Sequence, residues 1–175
     1  MPGSSSRDDL QCVSADRRLP ISDGLEIAVR EFKNPKANSY SVQMLGLHGW
    51  LDNAGSFELL ARELVALNPQ VWFVAVDLLG HGQSDHGRGP YQYLDQIEAI
   101  HDVLDALKWD TCFIVGHSYG GNNATLYAAA LPGRIQGLVV WRYLYCVWCY
   151  HCSSATLVLL RLGSADDRKL GPSNN

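Results

Sequence analysis

The sequence is short of charge. Asp, Glu, Lys and Arg supply 18 % of its 175 residues, and the formal net charge is −4. No basic surplus exists to attract nucleic acid, so none is expected as a partner. Means for a disulfide framework are lacking too. The five cysteines are an odd number, and Cys146, Cys149 and Cys152 crowd into one stretch. No secretory leader is expected: Met1 to Leu10 is polar, with Asp8 and Asp9 where an apolar run would begin. The last residues, Pro172-Ser173-Asn174-Asn175, match neither a peroxisomal address nor a prenylation box. Free thiols in a reducing, cytoplasmic setting are therefore the expectation. Gly80-His81-Gly82 is not continued into a Gly-x-Gly-x-x-Gly phosphate cradle, and no Lys-Ser or Lys-Thr pair is present. No cofactor is expected.

What remains has globular composition, with 47 % hydrophobic residues. Residues 1–16 are polar and read as a loose tail. Residues 17–140 alternate between strand-like and helix-like segments. Leu19 to Ile21 and Leu25 to Phe32 flank Ser22-Asp23-Gly24, where the Asp-Gly pair suits a tight hairpin turn. Apolar runs at Val42 to Leu47, Val71 to Val76, Cys112 to Val115 and Ile135 to Val140 predict buried strands. Phe57, Leu60, Leu64 and Leu67 recur at helical spacing, as do Leu94, Ile97, Ile100, Leu104 and Leu107. Tyr119 to Leu131 reads as a helix of small residues closed by Pro132-Gly133. The alternation predicts an α/β fold: a mostly parallel sheet of about six strands with helices on both faces and an antiparallel start.

The character changes at residue 141. Residues 141–175 open with Trp141, Tyr143, Tyr145, Trp148 and Tyr150 among the three cysteines, and nothing upstream resembles them. A break this sharp is expected of an alternative exon, a retained intron or a shifted frame. Cys146-x-x-Cys149-x-x-Cys152 with His151 suggests a metal motif. Zinc sites bring two separated pairs, however, and an iron–sulfur run needs a fourth cysteine, so no metal is expected. Residues 143–160 carry no Asp, Glu, Lys or Arg, which is the lower length limit for a membrane span. His151, Ser153, Ser154 and Thr156 argue against insertion, and membrane contact stays an alternative only.

Gly116-His117-Ser118-Tyr119-Gly120 follows an apolar strand and precedes a helix. A serine at such a turn sits in strained backbone, flanked by glycines that let strand and helix approach. The helix start favours negative charge developing at the serine. Leu47-His48-Gly49-Trp50 also ends a strand, upstream of the serine. An acyl-transfer transition state needs two N–H groups aimed at its oxyanion. The candidates are those of Tyr119 and Trp50. His48 is read as shaping the loop rather than as a base, with Gly49. Asp77, His81 and Ser84, in Asp77-Leu78-Leu79-Gly80-His81-Gly82-Gln83-Ser84, are read as building a loop beside the pocket.

On these three motifs residues 20–140 resemble the α/β-hydrolase superfamily. Leu47-His48-Gly49-Trp50-Leu51-Asp52-Asn53 with Gly116-His117-Ser118-Tyr119-Gly120-Gly121 looks most like its serine-hydrolase-like subgroup. The resemblance implies an eight-stranded sheet, a cap over the pocket and a Ser–acid–His triad. It implies Ser118 as nucleophile, and as partner a small-molecule acyl substrate: an ester, thioester or amide. The chain departs from this pattern after residue 140. His151 is the sole histidine after Ser118, and no histidine follows Asp166. Leu157-Val158-Leu159-Leu160 before Gly163-Ser164-Ala165-Asp166 looks like the family's acid-bearing strand, which makes Asp166 and His151 the remaining acid and base candidates. The expectation is a sheet cut off after about its sixth strand. That leaves an impaired serine hydrolase or, alternatively, a non-catalytic fragment or binding module. An exposed sixth strand would invite self-association.

Overall fold

Ser22-Asp23-Gly24 folds back the chain as a single turn of 3-10 helix. Asp23 and Gly24 both adopt positive φ, 59° and 70°. Asp and Gly tolerate that region best, so the turn follows from the dipeptide. The turn joins β1 (Val13–Pro20) to β2 (Glu26–Lys33). In the computed structural model, residues 12–141 and the backbone of the strand at 158–160 are described. The remaining strands are β3 (Val42–Leu47), β4 (Val71–Val76), β5 (Cys112–His117), β6 (Ile135–Trp141) and β7 (Val158–Leu160). The helices are α1 (Glu58–Leu67), α2 (Tyr93–Ala106) and α3 (Tyr119–Ala130).

The sheet order is β1-β2-β4-β3-β5-β6-β7. β2 runs antiparallel to β1 and β4, whereas β4, β3, β5 and β6 are parallel. This is the mixed sheet with an antiparallel start that the sequence predicts. β3 lies between β4 and β5, so the chain reverses its direction of travel across the sheet there. Such a reversal opens a crevice at the carboxyl ends of the strands. The loops after β3, β4 and β5 all emerge at that edge.

Strand alternation divides the core in two. Leu45 and Leu47 of β3, Val74 and Val76 of β4, and Ile114 of β5 face α2 and α3. Phe73 and Ala75 of β4 and Val115 of β5 face α1, together with Phe32, Phe57, Ala61 and Val65. Over β3 the α1 face is filled by the Phe57 and Phe73 rings, 5.6 Å apart. A Cβ at Gly46 would come within 2.8 Å of Phe73, which explains the glycine inside that strand.

Four expectations change. β1 starts at Val13, inside the segment expected to be loose. Its side chains from Val13 to Arg18 are exposed, so no alternation marks it. Its full ladder with β2 and the ion pairs Arg17–Glu31 and Arg30–Asp16 hold it instead. α1 buries Ala61 and Val65 in line with Phe57, while Leu60 and Leu64 flank that line and Leu67 is 81 % exposed. α2 likewise buries Gln96, Ala99, Ile100, Val103 and Leu104, and leaves Leu94 70 % exposed. The sequence spacing found both helices; it rotated the inner face of α1 by about one position, whereas in α2 Ile100, Leu104 and Leu107 are buried as expected, Ile97 packs against them and only Leu94 departs. The fourth change is at the end of the sheet. β6 reaches Trp141, one residue past the compositional break. Its outer edge is paired over Leu138, Val139 and Val140 by the short antiparallel β7.

The α1 assignment is testable by urea denaturation. Ala61→Leu should overpack the core and cost about 1–3 kcal/mol. Leu67→Ser, on solvent, should stay within about 0.5 kcal/mol of the parent. The reverse ranking would mean that the leucine line is the buried one.

Candidate functional site

Ser118 sits between β5 and α3 with φ 52° and ψ −112°. Non-glycine residues seldom adopt this conformation, and it costs of order 1–3 kcal/mol. The neighbours impose it. A Cβ on Gly120 would lie 2.1 Å from the Leu47 carbonyl oxygen, and one on Gly116 would lie 2.6 Å from the Gly121 Cα. The helix start is thus pressed onto the ends of β3 and β5, and the turn must be abrupt. The Ser118 N–H donates to the Trp141 carbonyl at 3.1 Å, and the Asn122 N–H donates to the Ser118 carbonyl at 3.1 Å. Tyr119 is the first residue of α3, and the first N–H groups of a helix have no intrahelical acceptor.

The loop after β3 runs beside this turn. A Cβ on Gly49 would meet His117 Nδ1 at 3.0 Å and the Ser118 Cβ at 3.6 Å. His117 stacks on Trp141, with centroids 5.4 Å apart. His48 is fully buried with both ring nitrogens engaged. Its Nε2 accepts from the Leu78 N–H at 3.0 Å, which leaves the proton on Nδ1, 2.7 Å from the Gly49 carbonyl oxygen. His48 therefore ties the loop after β3 to the loop after β4. Burial pushes its pKa below the ordinary value, nearby His81 adds to this, and the hydrogen bond to Gly49 opposes it.

Asp77 makes a second tie. Its carboxylate accepts from the Ala54 N–H at 2.6 Å and from the Gln83 N–H at 2.7 Å. A Cβ on Gly82 would collide with it. Ser84 Oγ accepts from the Ala28 N–H and donates to the Asp77 carbonyl. The loop-building roles of Asp77 and Ser84 are thus visible as bonds. Gln96 makes a third tie, which the sequence reading missed. Its side chain bonds both the N–H and the carbonyl of Leu79, at 3.2 and 3.0 Å. The available signal was a glutamine one position before the apolar Ile97 of α2.

Trp50 stands at the rim, 57 % exposed, with its ring 5.2 Å from that of Tyr119 and 5.1 Å from that of His81. It is therefore a half-open aromatic rather than a core one. Two clefts of about 600 and 620 Å³ lie away from the turn. One is lined by Arg18, Arg30, Asn53 and Gln83, the other by Asp23, Arg88, Tyr91 and Asp102, and Ser118 lines neither. His151, Asp166, Cys146, Cys149 and Cys152 lie outside the described residues. So does most of the 143–160 stretch. Among the described residues, no helix is long and apolar enough to cross a membrane.

Residues 44–141 match the alpha/beta hydrolase fold family. A serine hydrolase-like protein of Dictyostelium discoideum is 37 % identical over 123 residues, covering 69 % of this chain and 33 % of that protein. A solved hypothetical protein of Pseudomonas aeruginosa PAO1 superposes with a TM-score of 0.62 at 35 % identity, over 71 % of this chain and 42 % of its own. A thioesterase domain from the curacin biosynthetic pathway gives 0.64 at 28 % identity, over 73 % of this chain and 46 % of that one. The chain spans roughly a third of the length of most of the curated relatives it matches.

The His48 environment predicts a pH dependence. A histidine held neutral in the fold takes up its proton more readily when unfolded. Its contribution is present above the ordinary value of 6.5 and is lost as pH falls from there toward the depressed folded value. The slope is at most about 1.4 kcal/mol per pH unit. Denaturant midpoints measured between pH 7 and 5 should fall with pH. In His48→Gln the unfolding free energy should start about 1–3 kcal/mol lower at pH 7, and the midpoints should fall less steeply. Parallel profiles for the two proteins would refute the assignment.

Proposed function

Since the chain belongs to the alpha/beta hydrolase family, we propose that it carries the nucleophile and oxyanion hole of a serine hydrolase acting on an ester, thioester or amide carbonyl. The backbone of Ser118 is the observation that carries this proposal. A strained serine at the head of a helix, wedged between glycine contacts, is the arrangement an exposed nucleophile needs. The likeness to a thioesterase domain supports an acyl carbonyl as the target.

In the proposed reaction the Ser118 Oγ attacks the carbonyl carbon and its proton passes to a base. The carbonyl oxygen becomes an oxyanion held by the N–H groups of Trp50 and Tyr119. The tetrahedral intermediate collapses, the leaving group departs with a proton, and water hydrolyses the acyl-serine. His48 is not the base, because both its ring nitrogens are bonded within the loops. His151 and Asp166 remain the candidates for base and acid. One observation favours an impaired hydrolase over a fully active one. β7 starts beside Val140, near the Ser118 edge, and runs antiparallel to β6 toward the opposite edge. The strand that precedes Asp166 in sequence therefore leads away from the serine.

A fluorophosphonate probe should label the protein, and Ser118→Ala should abolish the labelling. Equal labelling of both would remove the nucleophile assignment. Turnover of p-nitrophenyl acetate should fall far below the roughly 10 per second of a typical enzyme. Steady turnover of tens per second that Ser118→Ala abolishes would show that a working base is present. His151→Ala would then be the next variant to measure.

A further inference from the structure

Resting on Ser118 as the acylated group, we propose that Trp50, Tyr119, Tyr93 and His81 form a binding wall for an aromatic acyl group, so that aryl-acyl compounds are the preferred substrates. The four rings are contiguous. Trp50 meets Tyr119 at 5.2 Å and 84°, and His81 at 5.1 Å and 78°. Tyr93 lies 5.7 Å from Tyr119, and His81 lies 6.3 Å from it. These are the separations at which aromatic rings attract one another. The wall begins at the reacting centre, because Tyr119 follows Ser118 and Trp50 follows the glycine packed against it.

Three further observations select an aryl group. The wall is open: Trp50 and Tyr93 are both exposed. Trp50 and Tyr93 are two of the seven large exposed hydrophobic residues among those described, and both pack on Tyr119; Leu51 and Leu94, also exposed, follow them in the chain. Clustering of this kind marks a binding surface, whereas exposed apolar side chains scattered singly do not. Next, the preceding residue and the end of β6 carry packed rings beside Ser118. His117 is stacked on Trp141, Trp141 in turn packs on Phe57 at 5.9 Å, and Gly49 closes on His117. An acyl group extending from Ser118 therefore has its room on the open side. Finally, none of the four rings carries a carboxylate or guanidinium. The Asp95 carboxylate, whose charge acts on Tyr119, accepts from the Gln92 N–H at 2.7 Å as part of the α2 cap. That negative charge disfavours an anionic acyl group, whereas a planar apolar one finds ring edges and faces.

The test uses two fluorophosphonate probes that differ only in a phenyl or a methyl group on phosphorus. In each, the Ser118 Oγ forms the P–O bond, the P–F bond breaks, fluoride leaves and the serine proton passes to solvent. The full chain should label faster with the phenyl probe, by about tenfold. Tyr93→Ala and Trp50→Phe should each pull the phenyl-to-methyl rate ratio toward one. The ratio is read instead of a rate, so general damage to the site cancels. Ser118-dependent labelling with a parent ratio near one overturns the wall and leaves the nucleophile standing. That is also the outcome if another part of the protein occupies the wall. A ratio that neither variant moves overturns it as well. Labelling that survives Ser118→Ala, or none at all, removes the nucleophile instead. The wall is then judged by binding alone: saturable quenching of tryptophan fluorescence by phenylacetate, absent with acetate and weakened in Tyr93→Ala, supports it. Absence of saturation overturns it.

Discussion

Gly120 lies so close to the carbonyl end of β3 that a single added carbon would sit 2.1 Å from the Leu47 oxygen. The rest of the site follows from that approach. α3 can begin there only if the chain turns within one residue of β5, which forces positive φ on Ser118. The turn in turn leaves the N–H of Tyr119 without a helical acceptor. The conformation costs of order 1–3 kcal/mol. The two backbone hydrogen bonds of Ser118, at roughly 0.5–1.5 kcal/mol each, are of the same size as this cost. The close packing of Gly116, Gly120 and Gly121 fixes the turn in place. A local device at this turn is therefore sustained by the whole parallel sheet.

The loops after β3 and β4 are bound together by His48 and Asp77, and Gln96 fastens the loop after β4 to α2. Each is buried, and each uses its polar atoms on the backbone of those loops. A buried polar group that lost its partner would cost about 1–3 kcal/mol, so the bonds hold one another in place. Trp50 follows directly after this fixed region and is open to solvent. Its backbone position is set by the loop, while its ring is free to meet what arrives.

The sequence made the sheet legible because four parallel strands are continuous apolar runs bounded by polar residues. Their limits were read to within two residues. The elbow was legible because its glycines are needed for close approach, and that need fixes their spacing. β1 was only half legible. A strand exposed on both faces has no alternation to read, and its ladder and ion pairs lie between residues distant in sequence. Leucine is a poor marker of the inner face of α1, although in α2 Ile100, Leu104 and Leu107 do mark it. Phe57, Ala61 and Val65 fill the space over β3 and β4, where the Phe73 ring leaves room only for small side chains. The larger leucines are pushed to the flank.

Trp141 shows why composition cannot locate a structural boundary. It belongs by type to the aromatic stretch that follows it, and by position to β6, opposite His117 in the ladder. Its carbonyl receives the Ser118 N–H, and its ring lies between His117 and Phe57. One residue thus braces the serine turn through its backbone and packs beside it with its side chain. The backbone bond does not depend on residue type, and many apolar residues would end β6 equally well. The ring contacts do depend on type. Those contacts pack the half-buried Trp141 ring against the Phe57 side of the core, so the packing of the domain extends to residue 141, one residue into the aromatic stretch.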